Sequence, residues 1–254
     1  MTTCLPRVAR IESAVDESAK VRTLTLDASI DADPGQFVMA WLPGIDERPF
    51  SLVDADPVIL TVARVGRFTE AVHHLGAGGR LWIRGPLGKP FTLPQVSPSH
   101  SRGEGGTGLI PRLLMVAGGY GVAPLHFLAG RAIASGWGVA VVIGARTAAD
   151  VIFVARFRAL GADVAIATDD GSLGEGGLAT ELSARLLNQT AYAALYACGP
   201  EAMLEEVERL ARARKMPAQL SYERAMRCAF SVCGTCSRQG WLVCRDGPVL
   251  KIEP

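Results

Sequence analysis

Four cysteines close to the C-terminus constrain this chain more than any other feature. They are Cys228, Cys233, Cys236 and Cys244, in the run MRCAFSVCGTCSRQGWLVC. The spacing is C-x4-C-x2-C-x7-C, and its first three positions are those of a plant-type [2Fe–2S] sequence. Two irons bridged by two sulfides need four thiolates in one small volume. A chain achieves this by wrapping a tight loop around the cluster, with backbone N–H groups aimed at sulfur. Such a loop wants small residues, and Ala229, Ser231, Gly234, Thr235 and Ser237 supply them. The competing reading is a structural zinc site. Zinc usually takes two separated C-x2-C knuckles around a tetrahedral ion; this run has one such knuckle and a crowded third cysteine. Four of the six cysteines fall in one cluster, which is ligand usage rather than a disulfide framework. Cys4 reads as an incidental thiol near the chain end.

The chain has 254 residues, 49% of them hydrophobic, enough for two cores and a small appendage. Its net charge is +1 and it has no basic run, so nothing points to nucleic acid. Gly, Pro or Arg interrupts every candidate for an 18-residue apolar span, so no membrane segment is expected. The first residues, MTTCLPRVARIESAVDES, lack the apolar stretch of a signal peptide. The expected location is the cytoplasm.

Three regions follow one another. Residues 1–94 read as β, with alternating segments at Val21–Leu26, Phe37–Trp41, Ile59–Arg64 and Arg80–Ile83. Turn signals separate them, which predicts a closed antiparallel barrel, interrupted by one helical stretch at Thr69–Leu75. Residues 95–110, QVSPSHSRGEGGTGLI, predict a flexible linker. Their GEGGTG lacks the lysine of a phosphate loop and follows no strand. Residues 111–218 change character. Apolar runs at Arg112–Ala117, Val139–Ile143, Ala162–Ala167 and Ala193–Ala197 read as buried parallel strands. Helical patterns between them, notably Pro124–Ser135 and Glu201–Arg214, predict a doubly wound α/β domain. Residues 219–254 complete the chain as a small cluster domain.

The α/β region holds three turns suited to a nucleotide. In LLMVAGGYGVAPLHFLAG an apolar strand enters a Gly-rich turn and then a helix. Gly118, Gly119 and Gly121 let backbone approach a pyrophosphate, and the following helix aims free N–H groups at it. The spacing is GGxG rather than the full GxGxxG, so a plain strand-to-helix turn competes. A second turn, Asp169-Asp170-Gly171-Ser172, and a third, Cys198-Gly199-Pro200, follow other buried strands. In sheets of this type the C-terminal strand ends form the ligand crevice. In the β region, Arg48-Pro49-Phe50-Ser51 places an Arg able to clamp a diphosphate beside an aromatic ring and a hydroxyl. Gly85-Pro86-Leu87-Gly88 follows another strand. Taken singly, these tetrapeptides fit structural turns as well.

Taken together, the chain resembles the ferredoxin reductase superfamily over nearly its full length. More closely, it is similar to the electron-transfer subunits of NAD-dependent (class 1B) dihydroorotate dehydrogenase. The order of flavin barrel, nicotinamide nucleotide domain and [2Fe–2S] loop is that family's. The resemblance implies that Arg48 meets the FAD diphosphate, with Pro49 and Phe50 in the same motif, and that Ser51 lies near flavin N5. It implies further flavin phosphate contacts from the turn Gly66-Arg67-Phe68-Thr69, and gives Gly85 a place in the family's GPLG. GGYGVAP at Gly118–Pro124 resembles its GGGIGVAP, with Tyr120 where a smaller or aliphatic residue is usual. Asp170, Gly199 and Pro200 then belong to NAD contacts, and Cys198 lies near the nicotinamide, unless it is an inert buried thiol. SYERAMRC at Ser221–Cys228 and VCRDGPV at Val243–Val249 match the subfamily's most specific patterns. The fourth cysteine comes after only seven residues, a shorter excursion than in many members, with Arg238-Gln239-Gly240 closing a hairpin.

The implied activity is an electron relay among NAD(H), FAD and the [2Fe–2S] cluster. Its partner would be a catalytic FMN-containing dihydroorotate dehydrogenase subunit, in a heterotetramer of pyrimidine biosynthesis. Hydride transfer to a flavin needs no acid–base dyad, and none is evident. His73 and His74 read as surface residues and His126 as packing. NAD is preferred to NADP, although Arg146 is placed to meet a 2′-phosphate. The alternatives are a sulfide dehydrogenase-like, NADH:ferredoxin or hydrogenase diaphorase subunit, and a non-catalytic nucleotide-binding protein with a zinc-stapled tail.

Overall fold

A computed structural model of the chain describes residues 5–95 and 110–253. They form two compact units. One runs to Phe91 and takes in Glu223–Val249; the other runs from Thr92 to Tyr222 and takes in the residues from Leu250 onward. Cys4 and nearly all of the expected linker lie outside the described residues.

The first unit is built on six strands: β1 (Arg7–Ser18), β2 (Val21–Leu26), β3 (Phe37–Leu42), β4 (Asp46–Ala55), β5 (Val58–Ala63) and β6 (Arg80–Leu87). They close into an antiparallel barrel in the order β1-β2-β5-β4-β3-β6, with β6 pairing back onto β1. The period-2 pattern explains the closure. In β5, Val58, Leu60 and Val62 are buried while Ile59, Thr61 and Ala63 are half exposed. Strand β3 differs, because all of it except Trp41 is buried. One face fills the barrel and the other is covered from outside. The helix α1 (Arg67–His73) starts two residues earlier than its sequence pattern suggested. Its His73 and His74 rings bond to backbone carbonyls of Val62 and Glu70.

The second unit is a doubly wound sheet. Strands β7 (Arg112–Gly118), β8 (Gly138–Ala145), β9 (Asp163–Thr168), β10 (Glu175–Gly176), β11 (Ala194–Cys198) and β12 (Ala218–Ser221) pair in parallel. With β15 (Val249–Ile252) at the edge, the order is β10-β9-β8-β7-β11-β12-β15. The helices α2 (Val122–Ala134), α3 (Val154–Ala159), α4 (Ala179–Gln189) and α5 (Glu201–Ala213) connect the strands. Every residue of β7 after Arg112 is buried, as a central parallel strand requires. The chain leaves β7 in one direction through β8 and β9, then returns to lay β11 on the other side. The switch point therefore lies between β7 and β11. His126 on α2 packs edge-on against Phe153 and Phe157, with centroids 5.5 and 5.4 Å away.

The cysteine segment belongs to the barrel unit. Met226, Ala229, Cys236, Val243 and Cys244 share a buried cluster with Phe37 and Met39 of β3. That packing covers the outer face of β3. Burying Met226 and Val243 contributes about 1.5–3 kcal/mol each. A hairpin of β13 (Ser237–Arg238) and β14 (Trp241–Leu242) turns through Gln239 and Gly240, both left-handed at φ 46 and 87. Two positive φ values are what a two-residue type I′ hairpin turn needs. The short helix α6 (Val243–Asp246) then carries Cys244. Among the described residues no helix is long and apolar enough to cross a membrane.

Candidate functional site

The cysteine loop is shaped by backbone more than by side chains. Ala229, Ser231 and Gly234 are left-handed, at φ 53, 65 and 70. Left-handed residues interspersed in a turn aim successive N–H groups into a concavity that suits anions. The N–H groups of Phe230 and Cys233 both donate to Cys228 Sγ at 3.4 Å. A non-glycine residue in this conformation costs about 1–2 kcal/mol. The small residues expected here are thus the ones that bear the strain.

The four cysteines divide between an outer part of the loop, where Cys228 is partly exposed and Cys233 exposed, and a buried part with Cys236 and Cys244. The Cys233 backbone N–H donates to Cys228 Sγ, Cys236 and Cys244 share one buried cluster, and Ser231 Oγ lies 3.9 Å from Cys244 Sγ. The Thr235 hydroxyl and the contacts with Cys228 bring the exposed Cys233 thiol down to about 6, whereas burial pushes Cys236 up. A binuclear cluster takes two thiolates on each iron. Among the described residues no three or more of His, Cys, Asp and Glu are gathered closely enough to hold a metal ion.

Two glycine motifs lock this loop to the barrel. A Cβ on Gly88 would lie 2.5 Å from Pro248 Cδ and 2.8 Å from Phe37 Cε1. The Lys89 N–H donates to Gly247 O at 2.6 Å. The GPLG and DGPV segments therefore serve each other: each leaves room for the other's backbone. Gly85 sits where β6 bulges against β3, and its Cβ would meet Val38 Cγ1 at 3.0 Å.

The RPFS residues lie within β4. Arg48 is half exposed and pairs with Asp46 at 2.5 Å. Phe50 faces Phe68 of α1, with ring centroids 6.0 Å apart. Pro49 and Ser51 stand opposite Met39 and Phe37 in the β3–β4 register. Ser51 and Pro49 therefore sit on the face of the barrel wall that the cysteine segment covers, while Arg48 and Phe50 take the alternate face. The turn at Gly66 is held by Thr69. Its hydroxyl accepts from the Val65 and Gly66 N–H groups at 2.9 and 3.0 Å and donates to Gly66 O at 2.9 Å. One donor and two acceptor positions exhaust a hydroxyl. The Thr69 hydroxyl therefore shapes this turn, and Arg67 beside it is exposed.

The nucleotide turns gather at the switch point. Gly118 to Gly121 leave the end of β7, and Cys198 to Pro200 leave the end of the neighbouring β11. They touch backbone to backbone. A Cβ on Gly121 would lie 2.0 Å from Cys198 O, and one on Gly199 would lie 2.9 Å from Gly118 Cα. Gly119 differs: it is left-handed at φ 53 and open space surrounds its Cβ position. Helix α2 begins at Val122, with no side-chain cap, and Pro124 stands in its first turn. Cys198 is fully buried. At the end of β9, Asp170 binds the Ser172 hydroxyl at 2.6 Å, which holds its carboxyl below the usual range. Ser172 Oγ in turn accepts from the Ala148 N–H at 2.7 Å. Arg146 is exposed and lies 3.8 Å from Asp150.

No family model matches the chain. Among curated proteins it is 36% identical to the probable dihydroorotate dehydrogenase B (NAD(+)) electron transfer subunit of Methanocaldococcus jannaschii, over 96% of this chain and 89% of that one. The same subunit of Methanothermobacter thermautotrophicus is 40% identical, over 96% and 88%. That of Thermococcus kodakarensis is 38% identical, over 97% of both chains. The chain belongs to the family of dihydroorotate dehydrogenase B electron transfer subunits. Solved structures agree on the fold of these electron transfer subunits. An NADH-dependent reduced ferredoxin-NADP oxidoreductase, studied for flavin-based electron bifurcation, superposes with a TM-score of 0.82 at 25% identity. It matches 96% of this chain and 88% of its own length. An Amycolatopsis cytochrome P450 reductase gives 0.67 at 26% identity, over 84% and 68%.

One residue of this site was not anticipated. Arg84 on β6 makes a bidentate pair with Glu47, at 2.6 and 2.9 Å, and donates to Cys228 O at 2.9 Å. The signal lay in the strand period. Leu81 and Ile83 point inward, so Arg84 points outward, and only a covering segment could bury it.

Proposed function

We propose that this chain moves electrons between NAD(H), FAD and a [2Fe–2S] cluster. It does so for a catalytic FMN-containing dihydroorotate dehydrogenase subunit, in a cytoplasmic heterotetramer of pyrimidine biosynthesis. The cysteine loop packed on the barrel unit, with two backbone N–H groups aimed at Cys228 Sγ, carries this reading. Cys228, Cys233, Cys236 and Cys244 would hold the cluster. Arg48, Pro49, Phe50, Ser51, Gly66, Thr69 and Gly85 would hold FAD, and Gly118, Gly119, Gly121, Asp170, Gly199 and Pro200 would hold the nicotinamide nucleotide. When bound, FAD exchanges a hydride with NAD(H) and passes electrons singly to and from the cluster.

The protein's part is binding and placement. Arg48 offers a planar set of donors to a diphosphate, and its counter-charge is the exposed Asp46, a weak competitor. Open space beside Gly119 and the uncapped N–H groups of α2 receive a pyrophosphate. The Ser51 hydroxyl and the Cys198 thiol are the groups assigned to the flavin and nicotinamide rings.

An anaerobic visible and EPR spectrum, taken before and after NADH, tests this. Flavin absorbance over an iron–sulfur background, both bleaching with NADH, is the expected result. A colourless protein, or flavin without that background, overturns the assignment. Tagged protein is then expected to co-purify with the dihydroorotate dehydrogenase subunit; bleaching without that partner would reassign the acceptor alone.

A further inference from the structure

Arg84 is a buried cation beside the cysteine loop. Its side chain is 6% exposed. Three of its five N–H groups are used, two toward Glu47 and one toward the carbonyl of Cys228. Nη1 is buried and has no hydrogen-bond partner among the described residues. The Phe230 ring lies over the guanidinium, with 4.4 Å from Cζ to the centroid. Cys228, through its carbonyl, and Phe230, through its ring, are thereby tied to one guanidinium on the barrel wall, and the Phe230 N–H donates to Cys228 Sγ.

A fixed charge has a calculable consequence here. One-electron reduction adds negative charge to a cluster, and a nearby cation favours the reduced form. Low local dielectric magnifies the effect, and net charge, hydrogen bonds to sulfur and exposure set such potentials. We propose that the Arg84–Glu47 pair is a positioning device that also sets the reduction potential of the cluster, with Arg84 raising it and Glu47 opposing it. This deepens the proposed function and rests on the cluster assignment.

The test compares Arg84→Gln, Arg84→Lys and Glu47→Gln in the full chain by EPR-monitored redox titration, with iron and sulfide content measured on each. Arg84→Gln is expected to lower the equilibrium constant for one-electron reduction about tenfold, a shift of about 59 mV downward. Glu47→Gln is expected to shift the potential upward. Arg84→Lys keeps the charge but not the fork, so its potential stays near that of the wild type while its cluster is lost faster to a chelator. Opposite signs for the Arg and Glu variants are the signature that loosening alone would not give. Fully loaded variants with unmoved potentials, or shifts of the same sign, overturn the proposal. If Arg84→Gln does not retain iron, the upward shift of Glu47→Gln still decides. A wild-type protein without a [2Fe–2S] signal would overturn the cluster assignment instead, a result distinguishable from the first.

Discussion

Substituting alanine at Gly121 and at Gly119 separates backbone fit from ligand space within one turn. At position 121 the added Cβ would stand 2.0 Å from Cys198 O and 2.4 Å from Cys198 C. Nonbonded carbons rest at about 3.5–4.0 Å, so the overlap exceeds 1 Å by that measure. The obstacle is backbone of a fully buried central strand and cannot rotate aside. Overpacking a core costs about 1–3 kcal/mol, occasionally more, and a backbone obstacle puts Gly121→Ala near 3 kcal/mol on that scale. At about 2–4 °C per kcal/mol for a chain of this size, the melting temperature falls by about 6–12 °C. At Gly119 the Cβ meets nothing within 4 Å, and the only penalty is the left-handed backbone at φ 53. That is about 1 kcal/mol, or about 2–4 °C. The order reverses for ligand. A methyl group on residue 119 projects into the space left open at the end of β7, so Gly119→Ala is expected to stay folded and lose NADH affinity. Thermal melts followed by circular dichroism, and NADH titration followed by flavin fluorescence, measure the two effects. Equal melting temperatures, or a greater loss of stability in Gly119→Ala, would refute the claim that close approach of the β7 and β11 turns explains the third glycine.

Three further substitutions probe the other parts of the site. Thr69→Val removes the acceptor for the Val65 and Gly66 N–H groups and should cost about 1 kcal/mol; an unchanged urea midpoint would mean water replaces the hydroxyl. Arg48→Ala should change stability by no more than about 0.5 kcal/mol, because its ion pair is exposed, yet release FAD during gel filtration; full flavin retention would exclude Arg48 from the diphosphate. In Ser172→Ala the Asp170 carboxyl should titrate higher, since the Ser172 hydroxyl is the largest cause of its lowered value. The hydrogen bond stabilises the turn above the ordinary carboxylate pKa and is lost as pH falls through the lowered one; carbon-detected NMR titration reads the shift, and an unmoved Asp170 would sink the attribution.

Periodicity made much of this molecule legible. Val21–Leu26 coincides with β2, and the apolar runs of the second region fall on β7, β8, β9 and β11. These strands sit in positions where burial follows a simple rule, either alternating or complete. Strands β1 and β4 did not stand out. The outer face of β1 is polar and exposed along most of its length, and β4 carries Arg48 and Pro49 in its first turn of register. The type I′ hairpin at Gln239-Gly240 was legible because glycine marks the second positive φ. What one strand's pattern cannot reveal is a second layer. Burial on both faces of β3, and the buried Arg84 beside it, follow from a segment more than a hundred residues away in sequence. Only the outward register of a charged residue between apolar neighbours hinted at it.

That second layer bears on how electrons would travel. The residues assigned to FAD and all four cysteines belong to one unit, whereas the glycine turns assigned to the nicotinamide nucleotide belong to the other. Ser51 stands opposite Phe37, and Phe37 shares a buried cluster with Cys236 and Cys244. The separation between the strand assigned to FAD and the cysteine loop is therefore a property of a single packed core. Gly88 against Pro248, Lys89 against Gly247 and Arg84 against Cys228 all fix it. Single-electron transfer demands a constant distance at every turnover, while hydride donation demands a nucleotide that arrives and leaves. A chain that places the first pair of groups in one core and the second set of turns in another meets both demands without any element having to serve both.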